Sequence, residues 1–150
     1  MKRILLYSIP FLLLAAIIGC GPSSTPAPQV GGPEGTFNGT FTFYHLHEKT
    51  GVTDTTVLPN LQLQLEQSTG YKLSGDTSTV LAASYGSYLV SIPYTTINFL
   101  DKTYPATGTP SKIHLVGIYS YSWDGTNLVM TSYGAYDTLA YHYVLKKIGN

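Results

Sequence analysis

Residues 119–131 read YSYSWDGTNLVMT, and their alternation decides the fold class. Tyr119, Tyr121 and Trp123 stand at every second position, as do Leu128 and Met130 beyond the Asp124-Gly125 pair. Successive side chains of a strand point to opposite faces, so a period of two marks a strand with one apolar side. An Asp-Gly pair between two such runs signals a tight hairpin, because Gly takes the positive φ that the turn needs. A turn centred on Asp124-Gly125 sets Trp123 across from Thr126, Tyr121 across from Leu128 and Tyr119 across from Met130. Ser120, Ser122, Asn127 and Thr131 then share the opposite face, with Ile118 and Val129 as exceptions. Turn chemistry and side-chain pattern agree on one hairpin.

The same period extends outward in both directions. Phe37, Phe41, Phe43 and His45 share one face of a first strand. Leu61, Leu63 and Leu65 alternate with Gln62, Gln64 and Glu66, and Ser68-Thr69-Gly70 turns this run into Tyr71–Ser74. Tyr88, Val90 and Ile92 form a further run, Thr95–Leu100 another, and Leu139, Tyr141, Tyr143 and Leu145 a last one. No window carries a sustained helical period with caps. Roughly eight strands in sequential order predict an all-β antiparallel up-and-down barrel, whose closure leaves no exposed sheet edge. A two-sheet β-sandwich is the alternative for the same strands. In a barrel of this size the interior is filled by side chains or holds one small ligand.

Composition excludes several function classes. The chain has 150 residues, a formal net charge of 0, 11% charged residues, 13 Tyr and a single Cys. One Cys permits no internal disulfide and no zinc site built on several thiolates. A nucleic-acid binder needs a basic face against the phosphates, and this chain has none to spare. Disorder goes with few aromatics, so the aromatic content argues for a folded domain.

The first residues differ from the rest. Lys2 and Arg3 precede Ile4–Ile18, a 15-residue run that is apolar apart from Ser8 and Pro10. This run is shorter than the ~20 residues that span a bilayer, and it suits the core of a signal peptide. It ends in Ile17-Ile18-Gly19-Cys20, which resembles a bacterial lipobox. That resemblance implies a signal peptide over residues 1–19, cleaved before Cys20. Cys20 would carry a covalent diacylglycerol on its thiol and an acyl chain on its new amine. Two or three acyl chains hold a protein stably to a membrane. Losing Lys2 and Arg3 leaves six basic and eight acidic residues, a net of −2, so lipid is the membrane handle. Residues 20–35, the lipidated Cys and a Pro/Gly/Ser-rich stretch, read as a flexible tether, and residues 36–150 as the barrel domain.

Taken together, the lipobox, the tether, Gly-x-aromatic at the first strand, Asp-Gly hairpins and the closing Tyr143-Val144-Leu145-Lys146-Lys147 are similar to lipocalin-like lipoproteins of Bacteroidetes. The family's Gly-x-Trp position corresponds to Gly35-Thr36-Phe37 or Gly39-Thr40-Phe41, with Lys146 or Lys147 supplying the cation over the ring. Gly rather than Asp at position 21 implies, by the same kind of resemblance, the outer membrane. The lack of an acidic cluster after Cys20 implies its periplasmic side.

Chemistry-bearing residues are sparse. His45 and His47 lie on one strand face at a spacing metal sites use, and barrel closure brings the last strand beside them. His142 alternates with the tyrosines of its strand and so points outward. The ordinary reading of all three is non-metal, and no metal or other cofactor is expected beyond the lipid on Cys20. The acids stand mostly at strand ends and beside turn glycines, where turn chemistry accounts for Asp. No nucleophile elbow, metalloprotease motif or phosphate-cradling loop occurs, and the chain reads as a non-enzyme. The distinctive side chains are Tyr119, Tyr121, Trp123, Tyr141 and Tyr143, which the pattern aligns as candidate lining of a ligand cavity. A membrane-anchored binder of a small hydrophobic or aromatic ligand is the expected function. The alternative is a non-catalytic structural or assembly component of the envelope acting through the barrel exterior.

Overall fold

The computed structural model describes residues 31–134 and 139–149. The predicted signal peptide, Cys20 and the tether up to Val30 lie outside the described residues. Eight strands follow in order: β1 (Gly35–His47), β2 (Val52–Glu66), β3 (Gly70–Gly75), β4 (Ser84–Ser91), β5 (Thr96–Asp101), β6 (Gly117–Trp123), β7 (Asn127–Tyr133) and β8 (Leu139–Gly149). Each pairs antiparallel with the next, and β8 returns to pair with β1. The fold is therefore a closed eight-stranded up-and-down barrel, and the two-sheet alternative falls away because a single sheet closes on itself.

The inward face follows the alternation. Phe37 and Phe41 from β1, Leu61, Leu63 and Leu65 from β2, Phe99 from β5, Tyr119 from β6, Met130 from β7 and Tyr143 from β8 meet in one buried core. Burying such side chains contributes roughly 1.5–3 kcal/mol each. In β2 the inward parity switches: Leu58 and Leu61 both face the core although they are three residues apart. Opposite them, Phe41 pairs with Leu58 and Gly39 with Leu61, so Pro59 and Asn60 together face one residue of β1. This is a β-bulge, and it accommodates a proline whose missing N–H breaks the ladder in a central strand. Gly39 stands beside the same irregularity, where a Cβ would lie 2.0 Å from the Val144 carbonyl oxygen of β8.

Three sequence expectations change. The β6–β7 register is displaced by two residues: Trp123 pairs with Leu128 and Tyr121 with Met130. Asp124 is not a central turn residue. Its carboxylate accepts from Thr126 N at 2.8 Å, Asn127 N at 2.6 Å and Asn127 Nδ2 at 2.8 Å, which moves the turn onto Gly125-Thr126. The displacement is even, so every side chain keeps its face. Ile92 leaves the ladder after β4 and is exposed in a turn that closes at Thr95, whose φ is +48°. The barrel also begins earlier than residue 36, for Gly35 opens β1 and Pro33 is buried.

The two barrel ends differ. Tight turns at 67–69, 92–95 and 124–126 close one end, where Glu34 Oε1 also accepts from Gln67 N at 3.4 Å. The other end carries the connections 48–51, 76–83, 102–116 and 134–138, the last described only at Gly134. The two longest are pinned to each other. Leu81 and Ile113 form a parallel bridge, and Lys112 Nζ donates to the carbonyls of Thr77 and Ser78, 2.9 Å each. Leu81 and Leu115 descend from these connections into the core. The buried Tyr71 hydroxyl donates to the Leu115 carbonyl at 2.7 Å, which fixes the longer connection to the wall.

Candidate functional site

A cleft of about 980 Å³ opens at the end with the long connections. Its walls are Phe43 of β1, Tyr119 of β6, Leu139 and Tyr141 of β8, and Ile113 and Val116 of the 102–116 connection. Alternation turns Phe43, Tyr119 and Tyr141 inward, and each stands near the loop end of its strand. Phe43 and Tyr141 stack with ring centroids 5.7 Å apart and planes at 14°. Cavities that hold drug-sized ligands have this size range and this mainly apolar lining with a few polar groups.

The five aromatic residues singled out from the sequence do not form one lining. Tyr119 and Tyr141 reach the cleft. Tyr143 is 0% exposed beneath it, with its ring 4.8 Å from Phe41 and 5.7 Å from Tyr119. Tyr121 and Trp123 lead into the tight turn at the opposite end, where the Trp123 ring meets Phe37 edge-on at 5.6 Å. One column of alternating side chains runs the length of the barrel, so facing inward does not mean sharing a site.

The interior tyrosines resist ionisation. Burial raises the hydroxyls of Tyr71 and Tyr119 far above their usual range, and Tyr143 likewise. Burial, with the carboxylates of Glu34 and Glu66 nearby, pushes Tyr88 up to about 12. Ser84 Oγ, Tyr88 OH and Tyr143 OH are sealed among the described residues without a hydrogen-bond partner. Tyr119 interacts with the Tyr143 hydroxyl, but not at hydrogen-bonding geometry.

The polar group of the cleft is one the sequence did not single out. His114 lines it, and His114 Nδ1 lies 2.7 Å from Asp101 Oδ2. The Asp101 side chain is 0% exposed and that of His114 10%. Asp101 also accepts from Thr103 N and Thr103 Oγ1, both at 2.7 Å, so the turn role expected of strand-end acids is present alongside the histidine contact. Tyr104 packs edge-on against the His114 ring at 5.3 Å. A carboxylate buried with three donors is fully satisfied, and it fixes the orientation of the ring.

His45 and His47 sit at the rim, at the end of β1, with ring centroids 4.4 Å apart. His47 Nε2 is engaged by Asp54 Oδ2 at 2.7 Å. His142 pairs in register with Thr42 and lies on the outward face. Among the described residues no group of three or more His, Cys, Asp or Glu is arranged to hold a metal ion. Of the two Gly-x-Phe stretches, Gly35-Thr36-Phe37 is the one whose Phe faces a lysine, since Phe37 pairs with Lys147 and Phe41 with Tyr143. Comparison with protein-family models, curated proteins and solved structures gives no match.

Proposed function

We propose that this protein is a lipid-anchored bacterial lipoprotein whose barrel binds a small hydrophobic or aromatic ligand in the cell envelope, in the cleft at its loop-bearing end. The observation that carries the reading is that cleft of about 980 Å³, walled by Phe43, Tyr119 and Tyr141. The lipobox-like Ile17-Ile18-Gly19-Cys20 supports the anchor, Gly21 supports the outer membrane, and the lack of an acidic cluster after Cys20 supports its periplasmic side. No catalytic step is assigned.

The full-length protein in lipid nanodiscs, titrated with 2-methoxynaphthalene and corrected for uptake by empty nanodiscs, tests the ligand. We expect saturable binding of one probe per chain. Phe43→Ala and Tyr141→Ala each lower affinity by about tenfold, because each removes one ring of the stacked wall. Absence of saturable binding, or affinity unchanged in both variants, overturns the reading. The anchor has its own test: Cys20→Ala leaves an uncut precursor that takes up no labelled palmitate. Normal processing of that variant refutes it.

A second reading, a structural component acting through the barrel exterior, is favoured by the outer surface of β4–β7. These four strands contain one charged residue, Asp101, and it is buried. Tyr85, Leu89, Leu100, Ile118 and Tyr133 stand exposed on them. Exposed apolar side chains on neighbouring strands are the kind of surface that interaction sites use.

A further inference from the structure

We propose that the cleft selects a neutral amphiphile, an apolar ring body bearing a hydroxyl group, and that this hydroxyl donates its proton in a hydrogen bond to Nε2 of His114. The inference rests on the ligand-binding reading and specifies what that ligand carries.

The tautomer of His114 follows from its partner. An ionised carboxylate only accepts, and Asp101 already takes both Thr103 donors, so the proton shared across the 2.7 Å contact belongs to His114 Nδ1. The other ring nitrogen of the neutral imidazole is then an acceptor. Nε2 has no hydrogen-bond partner among the described residues, and it is not one of their sealed, unpartnered polar atoms. The His114 side chain is 10% exposed, and the space that it borders is the cleft. An acceptor held rigidly by a buried carboxylate is pre-organised for a donor, which lowers the ordering cost of binding.

Charge gives an anionic head no net attraction. With its carboxylate ionised, the Asp101–His114 pair carries a net charge of −1 with a neutral ring and 0 with a protonated one. Lys112 also borders the cleft; two of its three ammonium donors go to the carbonyls of Thr77 and Ser78, and its charge balances that of the pair with a neutral ring. Among the described residues no carboxylate lines the cleft to attract a cationic head. The remaining wall is mainly apolar, with Tyr104 packed on the ring that presents the acceptor. A hydroxyl on an apolar body satisfies every one of these conditions.

The test uses the full-length protein in lipid nanodiscs and three probes with the same ring system. 2-Naphthol has a hydroxyl donor, 2-methoxynaphthalene has only an acceptor, and 2-naphthoate is an anion. The expected result is binding of 2-naphthol about fivefold to tenfold tighter than 2-methoxynaphthalene, the range of one net hydrogen bond, with 2-naphthoate weakest. His114→Phe keeps an aromatic ring against Tyr104 but removes the acceptor. It equalises the first two probes. Asp101→Asn, which frees the ring, also narrows the preference. Equal affinities in the unaltered protein, tighter binding of the naphthoate, or a preference that survives His114→Phe overturns the head-group assignment and leaves the ligand-binding reading standing. Failure of all three probes to bind overturns that reading itself.

Discussion

Asp124 and Asp101 are the same residue type at the same kind of place, a strand end, and they do different work. Asp124 is exposed, and the three donors of Thr126 and Asn127 hold its carboxyl below the usual carboxylate range. A folded-state value below the unfolded one stabilises the fold above the unfolded value, and that stability is lost as pH falls through the folded one. Asp124→Ala therefore lowers the melting temperature at neutral pH, and the difference from the unaltered protein shrinks in acid below the carboxylate range. Thermal melts at a series of pH values check this, and a constant difference at every pH would contradict it. The turn role of Asp124 was legible in the Asp-Gly pair. The second role of Asp101 was not, because His114 reaches it only through the path of the 102–116 connection. Nothing local in the sequence places a ring 13 residues away onto a particular carboxylate.

At the scale of elements, alternation carried most of the information. Each inward row, such as Leu61, Leu63 and Leu65 or Tyr141, Tyr143 and Leu145, could be read directly, because burial on one face imposes a period of two. Register was less legible. The β6–β7 pairing depends on which residues occupy the turn, and the side-chain hydrogen bonds of Asp124 compete with the Asp-Gly preference for the central positions. Since the two registers differ by an even number, the hydrophobic pattern cannot tell them apart. The bulge at Pro59-Asn60 was hidden for the opposite reason. It breaks the alternation between Leu58 and Leu61, so the first half of β2 does not read as the same strand as the second. The long connections are the remaining gap. Their Pro and Gly content marks them as loops, while the Leu81–Ile113 bridge and the descent of Leu115 into the core depend on a barrel already closed.

For the whole molecule, the enclosed tyrosines tie the barrel to alkaline pH. Tyr71, Tyr88, Tyr119 and Tyr143 have folded-state values above the unfolded value near 10. Their contribution to stability is complete below that value and is lost as pH rises through the raised ones. Tyrosinate absorbance should therefore rise in two stages. The enclosed group ionises only as the β-sheet circular dichroism collapses. A single stage with the sheet signal intact would contradict the burial. The sequence revealed that tyrosines fill this barrel. It did not reveal which reach the cleft, because alternation reports the side of the wall and not the height along it.

The end by which the chain enters has a consequence for orientation. Gly32 lies against Val90, and Glu34 bonds the 67–69 turn, so the polypeptide joins the barrel at its tight-turn pole. The cleft occupies the opposite pole. Whatever holds the N-terminal segment grips this barrel as one grips a goblet by its foot, and the bowl is presented away from the hand.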